Sequence, residues 1–150
     1  MPTEARILIV QFDGQTPLEF PALQKYVHEI IIMSPITYLV FISSMNFYLG
    51  FLTVERFKTL SAVNLSQITE GNVQAQLSID KLAICESKAK STVAAVYELL
   101  VQHHLPGIPV LDESNHFLGM MEKNKIEQAV IMRFLENTAK QTDKTPTTEK

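Results

Sequence analysis

The apolar residues of the chain fall into short groups that alternate between the spacing of helices and the spacing of strands. In the segment STVAAVYELLVQHH, at 91–104, apolar side chains recur every three or four positions, which predicts a helix. Pro106 and Gly107 then stop the helix, and two short apolar strands follow, IPVLD and HFLGMM, joined by a polar turn. The segment NKIEQAVIMRFLEN, at 124–137, returns to helical spacing. Residues 91–137 are therefore predicted to form helix, strand, strand and helix.

The same order of elements occurs earlier in the chain, so the sequence contains an internal repeat. Residues 23–60 align with 92–129 without a gap, and YLVFISSMNFYLG then lies over GIPVLDESNHFLG. Short leading strands are predicted before each copy, at 6–12 and 81–87. Five aligned pairs are identical: Val27/Val96, Glu29/Glu98, Asn46/Asn115, Leu49/Leu118 and Gly50/Gly119.

These elements predict an α+β protein made of two β-α-β-β-α units. The first unit is expected at 1–66 and the second at 79–137, with a polar connector at 67–78. Apolar residues are missing from the end of the chain, so a disordered tail is predicted at 138–150.

Residues 30–54 form an unbroken run without a charged side chain, which is long enough to cross a bilayer. Pro, Ser, Asn and Gly interrupt the run, no basic cluster flanks it, and the aligned part of the second copy carries several charges. We therefore predict buried strands and no membrane span. A subunit interface formed by Phe47, Tyr48 and Phe51 is the expected reason for the excess of apolar residues.

The overall composition narrows the class of protein. Hydrophobic residues make up 46% and charged residues 19% of the chain, and the formal net charge is −3. This balance is typical of a globular domain, and it gives no support for a nucleic-acid binder, which would show a basic face. The lone cysteine, Cys85, excludes an internal disulfide, and the N-terminal segment lacks the pattern of a signal peptide. We therefore expect a cytoplasmic protein.

The chemically reactive side chains do not form a recognisable catalytic or metal site. His103 and His104 are adjacent at a predicted helix end, where they point to different faces, so a helix cap explains them better than a metal pair. Asp112 and Glu113 suit the turn between two strands. No glycine-rich phosphate loop or hydrolase motif is found in the sequence, so we predict that the chain is not an enzyme and has no metal site.

Residues 92–130 resemble the cystathionine-β-synthase (CBS) domain, and the most specific part is LPGIPVLDE followed by FLG. The first copy departs from the family pattern, with Val40 in place of the strand proline and Ser43 in place of the strand-end aspartate. The resemblance implies a tandem pair whose sheets pack about a pseudo-twofold axis, leaving two clefts for adenosine-containing nucleotides. It also implies that two such pairs associate into a homodimer and that no cofactor is required.

The ribose-binding motif of the family is altered in both copies. The family has a Thr and an Asp at the start of the last helix, whereas Arg56 and Lys125 stand at the two Asp positions here. Neither can accept a hydrogen bond from ribose. Either these cations turn the clefts toward phosphate, or they are solvated side chains in a pair that no longer binds nucleotide. The resemblance assigns Cys85, Gly107, Ile108 and Pro109 to the base, and Thr53, Arg56, Glu122 and Lys125 to the sugar and phosphate positions.

Three functions follow from these observations. The first is a non-catalytic regulatory CBS pair that binds an adenine nucleotide such as AMP, ADP or ATP between its repeats and acts on an unidentified protein partner. The second is a degenerate pair that serves only dimerisation or partner binding. The third is an accessory subunit of an enzyme that the sequence does not identify.

Overall fold

The computed structural model of the protein describes residues 6–60, 67–86 and 93–128. The strands are β1 (Ile7–Gln11), β2 (Leu18–Glu19), β3 (Tyr38–Ile42), β4 (Tyr48–Thr53), β5 (Gln67–Ile68), β6 (Ile84–Cys85), β7 (Gly107–Leu111) and β8 (Phe117–Glu122). The helices are α1 (Phe20–Met33), α2 (Val54–Thr59), α3 (Val73–Leu77), α4 (Val93–Gln102) and α5, which begins at 123 and is described to 128. The fold is α+β, as predicted. The rest of the predicted last helix and the tail at 138–150 lie outside the described residues.

Each repeat builds a three-stranded sheet of the same kind. In the order β1-β3-β4 and in the order β6-β7-β8, the first pair of strands is parallel and the second is an antiparallel hairpin. A break in the hairpin register lies between Phe41 and Ile42 in one repeat and between the aligned residues, Val110 and Leu111, in the other. The two hairpins are therefore equivalent down to their irregularities, which confirms the repeat.

The two hairpin turns are closed by the same hydrogen bonds, although their sequences differ. In the second repeat, Asp112 Oδ1 accepts hydrogen bonds from the backbone N–H groups of Ser114 and His116. In the first repeat, Ser43 Oγ accepts the equivalent bonds from residues 45 and 47. The loss of the aspartate is therefore structurally neutral, because a serine hydroxyl can accept the same backbone donors.

The asparagines of these turns are equivalent as well. Asn46 has φ of 70° and Asn115 has φ of 68°, in the left-handed region that asparagine tolerates better than most residues. The identical asparagines of the sequence repeat therefore mark the same turn conformation.

The uncharged run is explained by burial of β3 on both of its faces. Leu39 and Phe41 pack into the core of the first repeat, beneath α1, while Tyr38 and Val40 join a second cluster that includes Leu111 of the second repeat. A strand covered on both faces is apolar at consecutive positions rather than at alternate ones. This second cluster packs the two sheets together, so the run is the seam of the pair.

The predicted subunit interface is wrong for two of its three aromatic residues. Tyr48 and Phe51 are 7% and 1% exposed, because the second repeat of the same chain covers them. Phe47 is 43% exposed at the hairpin turn. No helix in the described part of the chain is long and apolar enough to cross a membrane.

The segment predicted as a polar connector contributes to the first repeat. β5 pairs antiparallel with β2, and α3 follows it. Ile68, Val73 and Leu77 are buried in the same core as α1. Polar residues separate these three apolar positions, so the composition of the segment hides its contact with the core. The predicted bounds of the two units stay a prediction.

The pseudo-twofold relation is visible where the two hairpin turns meet. Phe47 and His116, which are equivalent in the repeat, form an antiparallel bridge, and their rings stack at a centroid distance of 5.5 Å. Beside them, the backbone N–H of Tyr48 donates to the carbonyl of Asn115 at 2.9 Å. Two equivalent residues can pair in this way only where the axis passes between them.

Candidate functional site

Two cavities lie where the helix starts of the repeats meet the loops before β3 and β7. The first cleft has a volume of about 620 Å³. Its lining residues are Ile31, Pro35, Ile36, Thr37, Thr53, Val54, Glu55, Arg56, Lys58, His103, His104, Leu105 and Pro106. Both repeats therefore contribute to it, the second through the loop after α4.

The second cleft has a volume of about 590 Å³ and is built from equivalent positions. Its lining residues are Leu100, Val101, His104, Leu105, Pro106, Glu122, Lys123, Asn124 and Glu127, together with Glu55 of the first repeat. Most of these align in the repeat with a residue of the first cleft, as Glu122 does with Thr53. Volumes between about 300 and 1,000 Å³ are typical of small-molecule sites.

The same backbone hydrogen bond joins two of the lining segments in each cleft. The N–H of Val54, at the start of α2, donates to the carbonyl of Thr37 at 2.9 Å. In the second repeat, the N–H of Lys123 donates to the carbonyl of Pro106 at 2.8 Å. Each bond ties a helix start to the loop before the first hairpin strand, so the clefts are paired features of the duplicated unit.

Comparison with solved structures identifies this architecture. The CBS pair domain of a protein from Shewanella oneidensis MR-1, named for Mg²⁺ transport, superposes with a TM-score of 0.59 at 15% identity, over 88% of this chain and 68% of that one. The chain has the fold of a CBS domain pair. CBSX2 in complex with AMP gives a TM-score of 0.56 at 11% identity, covering 85% of this chain and 88% of that one.

A third solved structure similar to this chain is that of a CBS domain pair/ACT domain protein from Thermotoga maritima. Its TM-score is 0.54 at 15% identity, over 85% of this chain and 90% of that one. No family model and no curated protein matches the sequence. Because the identities are low, the likeness establishes the fold of the CBS pair, and the chemistry of the clefts has to be argued from their own residues.

Thr53 and Arg56, two of the predicted site residues, lie together in the first cleft. Thr53 is the N-cap of α2, and its Oγ1 accepts a hydrogen bond from the backbone N–H of Arg56 at 3.2 Å. A capping hydroxyl still carries a proton that it can donate to a ligand oxygen. The Arg56 side chain is exposed, so its guanidinium can turn toward the cleft.

His103 and His104 directly follow the end of α4, where the sequence predicts a helix cap, and both also line the first cleft. The chain reverses at the end of α4, where His104 has φ of 55° and the N–H of Leu105 donates back to the carbonyl of Leu100. This is the bond pattern of a Schellman motif, in which glycine is usual because of the positive φ. The left-handed turn directs the loop of the second repeat into the cleft of the first.

The second cleft contains a buried carboxylate in place of the capping threonine. Glu122 is 8% exposed, and its Oε2 accepts a hydrogen bond from the hydroxyl of Tyr38 at 3.2 Å. Tyr38 is itself fully buried. Burial raises the pKa of the Tyr38 hydroxyl far above its usual range, and the nearby negative charge of Glu122 raises it further. The Tyr38 hydroxyl therefore keeps its proton and remains a hydrogen-bond donor. In this way a residue of the first repeat fixes the carboxylate of Glu122 in the second.

The other predicted site residues lie away from the cleft walls. Gly107, Ile108 and Pro109 are buried in β7, and an added Cβ at Gly107 would approach the Tyr38 hydroxyl to 2.5 Å. Cys85 is half-buried in β6, opposite Leu111, and Lys125 is exposed on α5. Among the described residues, none of these five lines either cleft. Their contact with a base or a phosphate stays a prediction.

The sequence did not point to Lys58 or to the two histidines as cleft residues. Lys58 lies two positions beyond the family motif, and the histidines belong to the other repeat. A signal for His104 was present, because it aligns with Pro35, which precedes β3 and lines the same cleft. The repeat thus relates the two loops to each other, but that the loop of the second repeat lines the first cleft is visible only in the fold.

Buried tyrosines make the fold sensitive to alkaline pH. Burial raises the pKa of Tyr38 and of Tyr48 above the ordinary value of 10.0. As the pH rises, the unfolded chain therefore loses these protons before the folded state does. The contribution of each tyrosine to the free energy of unfolding is fully present below about pH 10, and it falls above that pH by up to about 1.4 kcal/mol per pH unit. We expect Tyr38→Phe to reduce this alkaline loss in urea unfolding followed from neutral pH to about pH 11.

Tyr26→Phe is the matched control, because Tyr26 is 51% exposed on α1. If the free energy of unfolding of Tyr38→Phe falls with rising pH as steeply as that of the parent and of Tyr26→Phe, Tyr38 does not contribute to the alkaline loss of stability.

Proposed function

We propose that the protein is a non-catalytic regulatory CBS pair that binds an adenine nucleotide of the AMP, ADP or ATP type in the first cleft. The observation that carries the proposal is the composition of that cleft. It has room for a nucleotide, and it gathers two threonines, two permanent cations and two histidines from both repeats. The structural neighbour CBSX2 was solved in complex with AMP, which supports the ligand class.

The cationic residues of the first cleft favour a phosphate group. Arg56 and Lys58 both lie on α2, and their side chains are exposed at the cleft. Glu55 is the one carboxylate among the described residues that line it. An arginine can bind two phosphate oxygens at once, and a lysine adds a mobile positive charge. The substitution of Arg for the ribose-binding Asp therefore moves the strongest contact from sugar to phosphate.

The apolar part of the cleft suits the base. Ile31, Ile36 and Leu105 line it together with the cations and provide a surface on which a purine can stack. A ligand with an apolar ring at one end and phosphate at the other matches this composition. A ligand that binds between the repeats would also link their loops, which is a physical route to regulation of a partner.

Titration calorimetry with AMP tests the proposal, with Arg56→Gln as the variant. We expect the parent to bind AMP and the variant to bind about 10- to 100-fold more weakly, because a charge-assisted hydrogen bond contributes about 1.5–3 kcal/mol. Lys125→Gln is the matched control. It removes one positive charge at the repeat-equivalent position, which does not line either cleft in the described part of the chain, and it should keep the affinity of the parent.

Equal losses of AMP affinity in the two variants would mean that the net charge of the protein causes the effect. That result would contradict a phosphate site at Arg56. No binding of AMP, ADP or ATP to the parent at millimolar concentration would reject the nucleotide proposal itself.

Association without a ligand is the second candidate function, and exposed apolar residues on two helices favour it. Ile32 and Met33 at the end of α1 are 72% and 84% exposed, and Val101 of α4, equivalent to Ile32, is 46% exposed. Such residues suit contact with a second copy of the chain or a partner protein. A parent that binds no nucleotide but sediments as a dimer would support this function over the first.

A further inference from the structure

The two repeats differ at the outer edge of their hairpins. In the first repeat, the extended segment at 79–80 runs along the edge of β4 that faces away from β3. The N–H of Phe51 donates to the carbonyl of Asp80, and the N–H of Asp80 donates to the carbonyl of Phe51, both at 2.9 Å. The chain itself therefore covers this edge of the first hairpin.

The equivalent edge of β8 has no such cover among the described residues. Met120 is the residue of β8 that aligns with Phe51. It lies opposite Pro109 of β7, which has no N–H to donate to it. In an antiparallel pair, alternate residues direct their N–H and C=O groups away from the neighbouring strand, as Phe51 does. The backbone groups of Met120 thus face the open edge, and no described residue forms a hydrogen bond with them.

The side chains of this edge are exposed and apolar. Leu118 is 50% exposed and Met120 is half-buried, whereas Phe51, which aligns with Met120, is 1% exposed. No charged residue occurs in β8 from 117 to 121. An uncharged strand edge with free backbone groups is suited to pairing with another extended segment.

The glycines of the two hairpins indicate what kind of segment fits. An added Cβ at Gly50 would lie 2.5 Å from the side chain of Ile79, which fills the space beside the strand. At Gly119 no atom lies within 4 Å of an added Cβ, in the part of the chain that the structure describes. The position that Ile79 fills in the first repeat is thus open in the second. A branched aliphatic side chain would fill it.

A second copy of the chain fits this edge less well than a peptide segment does. Ile79 immediately precedes Asp80, the residue that pairs with Phe51. If two β8 strands paired antiparallel at Met120, the residue in the position of Ile79 would be Gly119 of the second copy. Glycine has no side chain, so the space beside each strand would stay empty and its lining would lose packing contacts.

We propose that the outer edge of β8 binds an extended segment of a partner protein, which pairs with the backbone of Met120 and places a branched aliphatic side chain beside Gly119. In recognition of this kind, the backbone hydrogen bonds provide affinity and the side-chain position provides specificity. Neither residue lines either cleft in the described part of the chain, so the proposal does not depend on nucleotide binding.

The segment that covers β4 provides the probe for this site. A peptide of the sequence LSIDKL, residues 77–82, is prepared with both ends blocked and titrated into the isotope-labelled protein. We expect NMR to show saturable shifts of the Met120 amide and of its neighbours in β8. The peptide with Ile79→Gly is the matched control. It should bind about 10- to 100-fold more weakly, because it leaves the space beside Gly119 empty.

Gly119→Val tests the same space from the side of the protein. Valine is favourable in a strand, and its side chain would occupy the position of the ligand residue. We expect this variant to bind LSIDKL at least about 10-fold more weakly than the parent, with urea unfolding showing that it is folded. If the variant does not fold, the comparison of the two peptides on the parent still decides the proposal.

Three results would overturn the proposal. The first is the absence of a shift at Met120 with millimolar peptide, or equal affinity for the two peptides. The second is a set of shifts at Phe51 in place of Met120, since the peptide would then displace the chain's own segment from β4. The third is a lower sedimenting mass for Gly119→Val than for the parent, since β8 would then pair with a second copy.

Discussion

Replacing Gly50 with alanine is expected to destabilise the fold by about 2–5 kcal/mol, from backbone strain and overpacking together. Gly50 has φ of 155°, a conformation that residues with a Cβ rarely adopt. An added Cβ would also lie 2.5 Å from the end of the Ile79 side chain and 2.9 Å from the carbonyl oxygen of Asp80. The carbonyl cannot move away, because it accepts a hydrogen bond from the N–H of Phe51 at 2.9 Å.

Gly119 is the matched control for this substitution, because it occupies the equivalent position in the second hairpin. No atom lies within 4 Å of a Cβ built there, in the part of the chain that the structure describes. Gly119→Ala should therefore leave the free energy of unfolding within about 1 kcal/mol of the parent, and the stiffer unfolded chain favours a small gain. Urea unfolding of both variants measures the difference. Similar losses in the two would show that the segment at 79–80 does not pack against Gly50.

The sequence repeat predicted the hairpins accurately, because their determinants are local. The short apolar runs, the turn asparagines and the following Leu-Gly all lie within a few positions of one another. The structure confirms both hairpins in the alignment that the sequence predicts. The first turn keeps the same hydrogen bonds although it has Ser43 at the position where the second turn has Asp112. The turn requires a short side chain that accepts hydrogen bonds, and it does not require a charge.

Contacts between distant segments were less predictable. The short strand β5 and the buried residues of α3 depend on β2 and α1, which lie far earlier in the chain. In the same way, the first cleft takes its histidines from the other repeat. Periodicity within a segment indicates that it buries a face but does not identify the segment that covers it. Thr53 and Arg56 could be found from a motif, whereas the partners opposite them required the fold.

The apolar run at 30–54 illustrates this limit. Its lack of charge predicts contact with a second subunit, but a second copy of the same unit within the chain provides the covering surface. The two explanations are hard to separate by sequence in a duplicated protein, because one repeat covers an apolar face of the other in the same way that a second subunit would. A substitution in the seam separates them, because it changes stability in one case and association in the other.

Phe51→Ala is expected to destabilise the fold by about 3–5 kcal/mol, the usual loss for a large side chain removed from a packed core. Phe51 is 1% exposed and packs in the cluster between the two sheets, with its ring 6.3 Å from that of Tyr38. The cavity would open at the seam of the pair, where residues from β3, β4 and β7 meet. Urea unfolding measures the loss, and sedimentation of the folded variant should give the same mass as the parent.

Phe47→Ala removes the same kind of side chain from the turn of the same hairpin and provides the matched control. Phe47 is 43% exposed and contacts the second repeat through its stacking on His116, so the expected loss is about 0.5–1.5 kcal/mol. A stable Phe51→Ala with a reduced sedimenting mass would instead place Phe51 between subunits. The structure predicts a loss of stability without a change in sedimenting mass. Both repeats of one chain enclose Phe51, so its packing contributes to folding before any second chain can bind.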